Sequence, residues 1–189
     1  MKRPGNRDAL VKAAFRELAQ RGFEGLRTRD VAAGVGVNVA TLHYYFPTKE
    51  SLIRGVVEHA MERFRTTLEP HGTPADQLRN HIRAVRRLMT ADPQLGVVMG
   101  ELALRANRDL AVRQIVDEMF AGWQTTVRGL LRRAARDGKI RADLDSDATA
   151  ALIMGALMSA TLAPMSAPGR GDQAIRQLER LLGIPTSIN

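Results

Sequence analysis

The sequence predicts an all-α protein in which an N-terminal three-helix helix-turn-helix domain joins a larger C-terminal helical domain, about nine or ten helices in all. Three observations predict this class. Apolar residues recur at helical spacing from end to end, sustained apolar/polar alternation between hairpin turns is absent, and helix-start signals punctuate the chain. The 189 residues include no cysteine, so apolar packing must hold the fold without disulfides or thiolate metal sites.

The first helix is expected from about Arg7 to Arg21, where Val11, Ala14, Phe15 and Leu18 share one face and Gly22 supplies a stop. Thr28 is then expected to cap a short helix, Asn38 a second that ends at Pro47, and Thr48 a longer one with Leu52, Val56, Ala60 and Phe64 four residues apart. Thr73 with Pro74, and Asp92 with Pro93, each pair a capping residue with proline at the first helical position. The two helices they open turn Leu78, Ile82, Val85 and Met89, and then Leu95, Val98, Met99 and Leu102, inward. A long helix follows from roughly Asp109 to Asp137, stopped by Gly138. The segment from about Ser146 to Ala163 is apolar around its whole circumference and so must pack on several sides. Pro164 to Gly171 reads as a loop, and a last helix aligns Ile175, Leu178 and Leu182. The domain boundary is expected after residue 47, with 48–189 forming the larger helical domain, to which the resemblance given below assigns ligand binding and dimerisation, and with the helix from Thr48 connecting the two.

Charge locates the functional end. Of the formal net +8, residues 1–54 carry ten Lys or Arg against five Asp or Glu, so positive charge is densest at the N-terminus and polyanion binding belongs there. Lys2, Arg3 and Arg7 form either an arm touching a DNA backbone or minor groove or a solvated start. Charged residues at the start occupy the place of a secretory signal's apolar region, and the apolar run Ala148–Ala163 falls short of the roughly 20 residues that span a bilayer. A cytoplasmic, nucleoid-associated location without membrane contact is therefore expected.

Between Thr28 and Lys49 the chain reads TRDVAAGVGVNVATLHYYFPTK, which meets the demands of two short helices crossing steeply. Ala32 is small enough for the closest approach, Gly36 tolerates the positive φ of a tight turn, and Val31, Val35, Val37 and Leu42 form an apolar wedge. Gly34 weakens the first of these helices by about 1 kcal/mol relative to alanine. The second helix then offers Val39, Ala40, His43 and Tyr44 to a major groove, Arg29 reaches the same groove, and Thr28, Thr41, Tyr45 and Lys49 suit phosphate. Val39 and Ala40 lack hydrogen-bonding groups, so base readout falls to Arg29, Asn38, His43 and DNA shape.

At these residues the stretch GVNVATLHYYFPTKESL resembles the signature of the TetR family of bacterial transcriptional regulators, over about residues 7 to 60. The resemblance implies a homodimer on a palindromic double-stranded DNA operator, released by a small-molecule effector in a C-terminal cavity, and more simply a repressor than an activator. It assigns phosphate roles to Thr28, Thr41, Tyr45 and Lys49 and base-facing roles to Arg29, Val39, Ala40 and His43. His43 stands where such proteins more often carry tyrosine. For the ligand, Met99, Phe120, Trp123, Met154 and Met158 are candidate lining residues, with Glu101 and Arg105 as polar anchors. The long helix and the apolar helix after it are expected to pair with their copies in a second subunit.

No cofactor, metal or catalytic residue is called for. His43, His59, His71 and His81 form no metal motif with carboxylates, and neither a nucleophile elbow nor a glycine-rich phosphate loop is present. Two other classes stay open: a nucleoid-type protein binding DNA without sequence preference, and a helical adaptor that no longer binds DNA.

Overall fold

The structure, a computed structural model, describes residues 4–159 and 169–184. Among these residues it is all-helical: α1 (Pro4–Gly25), α2 (Thr28–Val35), α3 (Val39–Tyr45), α4 (Lys49–Arg65), α5 (Pro74–Ala91), α6 (Pro93–Ala106), α7 (Leu110–Arg136), α8 (Ser146–Met158) and α9 (Arg170–Leu182). The expected arm at Lys2 and Arg3, the end of the apolar helix at Ala163 and most of the loop from Pro164 lie outside the described residues. No described helix is long and apolar enough to cross a membrane.

The described residues form two compact units, 4–63 with 93–119, and 64–92 with 120–159 and 169–184. In the first, α1 packs on α2, α3 and α6. Leu10, Ala14 and Leu18 of α1, Val31 and Ala32 of α2, Leu42 of α3 and Leu52, Ile53 and Val56 of α4 form its core. Leu95, Val98, Met99 and Leu102 bury the inner face of α6 in the same unit. In the second unit α5, α8 and α9 pack on one another, with Leu78, Ile82, Val85, Trp123, Val127, Leu131, Ile153, Leu157, Ile175 and Leu182 buried.

Two helix starts differ from expectation. Helix α1 begins at Pro4, and the positive φ of Gly22 (68°) breaks it as predicted, but a further helical turn follows to Gly25. Thr28 does not cap α2. Arg27 holds the cap position in extended backbone without a side-chain hydrogen bond, and Thr28 is already helical. The caps read at Asn38, Thr48 and Thr73 form. Thr73 and Asp76 make a reciprocal capping box at α5, and the Thr48 hydroxyl accepts from the Ser51 N–H at 3.1 Å. Asp109 and Asp145 cap α7 and α8 through their carboxylates.

Candidate nucleic-acid interface

The turn between α2 and α3 is built by Gly36, whose φ of 74° suits glycine, with the Val37 N–H returning to the Ala32 carbonyl at 3.0 Å. Asn38 then starts α3: its Oδ1 accepts from the Thr41 N–H at 2.8 Å and from the Thr41 hydroxyl at 3.0 Å. The Asn38 side-chain amide and the acceptor lone pairs of the Thr41 hydroxyl remain for an outside partner.

Leu42 fixes which face of α3 looks outward. It is fully buried, so Ala40, His43 and Tyr44 on the opposite side are exposed, while Val39, Thr41 and Tyr45 are half-buried. The two tyrosines divide as their contacts dictate, Tyr44 being 66% exposed and Tyr45 half-buried, with their rings edge-to-face at 5.2 Å. Arg29 is exposed in the first turn of α2, beside the half-buried Thr28.

Lys49 has a second attachment that spacing alone did not reveal. Its ammonium donates to the Phe23 carbonyl at 3.3 Å and lies 4.4 Å from the centre of the Phe23 ring. The Arg105 guanidinium lies 4.5 Å from the centre of the same ring. Glu101 accepts the Phe23 N–H at 2.9 Å, and Arg105 also pairs with Glu24 at 2.7 Å and with Asp109. Glu101 and Arg105, expected as ligand anchors, thus grip the last turn of α1, where they line a surface groove of about 310 Å³ with Phe23, Leu104 and Arg108. No local signal foretells this clamp, because Glu101 and Phe23 stand 78 residues apart along the chain.

Of the other expected ligand residues, Met99 is buried in the first unit and the rest lie in the second. There Phe120 and Trp123 stack, with ring centres 6.3 Å apart, Met154 is buried and Met158 half-buried. Sequence reading missed His81, although it falls on the inward face of α5 between Leu78 and Val85. The Trp123 N–H donates to His81 Nε2 at 2.8 Å, which leaves the ring proton on Nδ1, facing Thr67 Oγ1 at 2.8 Å. Thr67 in turn donates to the Phe64 carbonyl at 2.6 Å. Burial pushes the His81 pKa down to about 4, so the ring is neutral at physiological pH. His59 instead sets its ring edge-on to Phe15, and among the described residues no group of three or more His, Asp or Glu is arranged to hold a metal ion.

Comparison with known proteins agrees with this geometry. Residues 10–56 match the family of bacterial regulatory proteins of the tetR type, and residues 68–178 match the tetracyclin repressor-like C-terminal domain. The fatty acid metabolism regulator protein of Bacillus subtilis is 25% identical over 152 residues, 78% of this chain and 77% of its own length. The nucleoid occlusion factor SlmA of Photobacterium profundum is 26% identical over 160 residues, 82% of this chain and 81% of its own. GusR of Salmonella enterica shares the fold with a TM-score of 0.78 at 22% identity, over 96% of this chain and 98% of that one. With both halves matched and a helix-turn-helix whose reading face is free, the chain belongs to the TetR family of bacterial transcriptional regulators.

Proposed function

We propose that the protein is a homodimeric transcriptional repressor that reads a palindromic operator through α2 and α3 and leaves it when a small molecule binds. The observation that carries this is the free face of α3. Burial of Leu42 points Ala40, His43 and Tyr44 outward together, and Arg29 stands exposed on the helix before them. In this reading residues 1–47 are the DNA-binding domain and 48–189 serve ligand binding and dimerisation. Arg29, Asn38 and His43 read bases, Val39 and Ala40 make apolar contacts, and Thr28, Thr41, Tyr44, Tyr45 and Lys49 hold phosphate or pack beside it.

A dimer seam is supported by α8, whose exposed side carries Ala148, Ala151, Leu152, Gly155 and Ala156 at helical spacing, and by Leu181 on α9. Leu152 and Leu181 are 68% and 57% exposed, and small neighbours allow close approach of a second copy. Among the described residues of α7 only Leu110 presents a large exposed apolar side chain, so α9 replaces the long helix as the expected companion of α8. An effector site among Phe120, Trp123, Met154 and Met158 is supported by aromatic stacking and by methionine's adaptability. No catalytic role is assigned to any residue, and the protein acts in the cytoplasm at the nucleoid.

Genomic footprinting with the purified protein tests the reading. Discrete palindromic sites are expected, bound at least about a thousandfold more tightly than random DNA. Uniform, salt-limited binding would instead support nucleoid-type coverage, a second reading favoured by the similarity to a nucleoid occlusion factor.

A further inference from the structure

Arg83, Arg86, Arg87 and Arg176 line a groove of about 340 Å³ between α5 and α9, together with Asp172 and Ile175. Arg83 is already committed. Its Nε and Nη2 donate to the two oxygens of the buried Glu179 carboxylate at 2.6 and 2.7 Å, a pair that fastens α5 to α9. The remaining three guanidinium groups face one lining carboxylate, Asp172, leaving a local excess of two positive charges.

Arg86 shows where the deficit lies. Its side chain is 13% exposed, and Nη1 donates to the Thr90 hydroxyl at 2.9 Å. Its Nε is buried without a hydrogen-bond partner and stands 3.5 Å from the Asp172 carboxylate, which is itself largely exposed. Asp172 is thus an ion-pair partner too distant to satisfy the buried Nε–H as a hydrogen-bond acceptor, so a closer anion would improve on it. Gly171 makes the placement possible, because a methyl group there would fall on the Arg86 guanidinium. The start of α9, which has no side-chain cap at Gly169, adds its partial positive charge to the same groove.

We propose that this groove binds a small anion bearing a phosphate group, held by Arg86, Arg87 and Arg176. A phosphate monoester carries about −1.5 to −2 charges at pH 7, which matches the local excess, whereas a single carboxylate leaves half of it uncompensated. Planar guanidinium forks meet phosphate oxygens two at a time. The groove is also larger than a bare phosphate, so the ligand carries a further moiety toward Ile175.

Inorganic pyrophosphate is the probe, titrated calorimetrically into the full-length protein at constant ionic strength set with chloride. Saturable binding with one site per chain is expected. Arg86→Gln combined with Arg176→Gln should weaken it at least about tenfold, and Arg108→Gln in the turn after α6 should leave it unchanged. Gly171→Ala supplies an independent variant, since alanine favours the helix and displaces only the guanidinium tip. It should weaken pyrophosphate without lowering the melting temperature. Heats no different from added chloride, equal affinity in all variants, or variants that weaken operator DNA alone would each overturn the proposal, the last pointing to a DNA backbone contact.

Discussion

At the scale of single residues, the proposed base reading rests on few side chains, and each has a separable signature. Arg29→Ala should cost about 1–3 kcal/mol of operator affinity and relax specificity at one base pair, as measured by binding to a panel of single-substitution operators. If every operator in the panel weakens equally, Arg29 contacts phosphate instead. Asn38→Ala acts through structure: it removes the side-chain acceptor of the Thr41 N–H and leaves only the Asn38 backbone carbonyl at 3.1 Å, so α3 should lose about 1 kcal/mol, visible in urea unfolding. His81 gives a pH dependence with a definite sign. Its pKa is about 4 in the folded protein and 6.5 unperturbed, so above pH about 6.5 the ring is neutral in both states. As pH falls from about 6.5 toward 4 the unfolded chain binds a proton that the folded one refuses, and about 3 kcal/mol of stability is lost before the effect levels off. His81→Gln should flatten this part of the profile in urea unfolding at pH 7.5 and 4.5. Identical slopes in both proteins would refute it.

At the scale of elements, the N-terminal half was legible because its rules are local. Gly36 needs a positive φ, Asn38 a following N–H, and Leu42 an apolar wedge, and all three can be read from neighbours a few residues away. The Thr28 cap was misread for a local reason too: Arg27 and Thr28 both fit the sequence pattern, and backbone conformation at Arg27 decides between them. What the sequence could not reveal were partners distant along the chain. Nothing near Glu101 announces that its carboxylate will receive the Phe23 N–H, and nothing near Lys49 and Arg105 announces that both will meet one phenylalanine ring. Glu101→Ala leaves that N–H without its acceptor, and a loss of about 1–3 kcal/mol is expected by thermal unfolding, with Phe23 amide exchange accelerated. Unchanged exchange at Phe23 would mean that the α1 turn is held by Lys49 and Arg105 alone.

For the molecule as a whole, function requires two copies. Leu152→Arg places a charge on a surface that is already 68% exposed, so folding should survive while self-association fails. Analytical ultracentrifugation should report a monomer, and operator affinity should fall by far more than any single base contact explains, because two half-sites no longer bind as one. A variant that remains dimeric would move the seam elsewhere. Trp123 is the sole tryptophan in the chain, it is buried, its N–H is held by the neutral His81 ring and its face lies 5.5 Å from Phe64. All indole fluorescence of the protein therefore arises from one point in the second unit. Any effector that touches Phe120 or shifts His81 will change emission colour or intensity without an attached dye, which turns the search for the small molecule into a direct optical titration of the unlabelled protein.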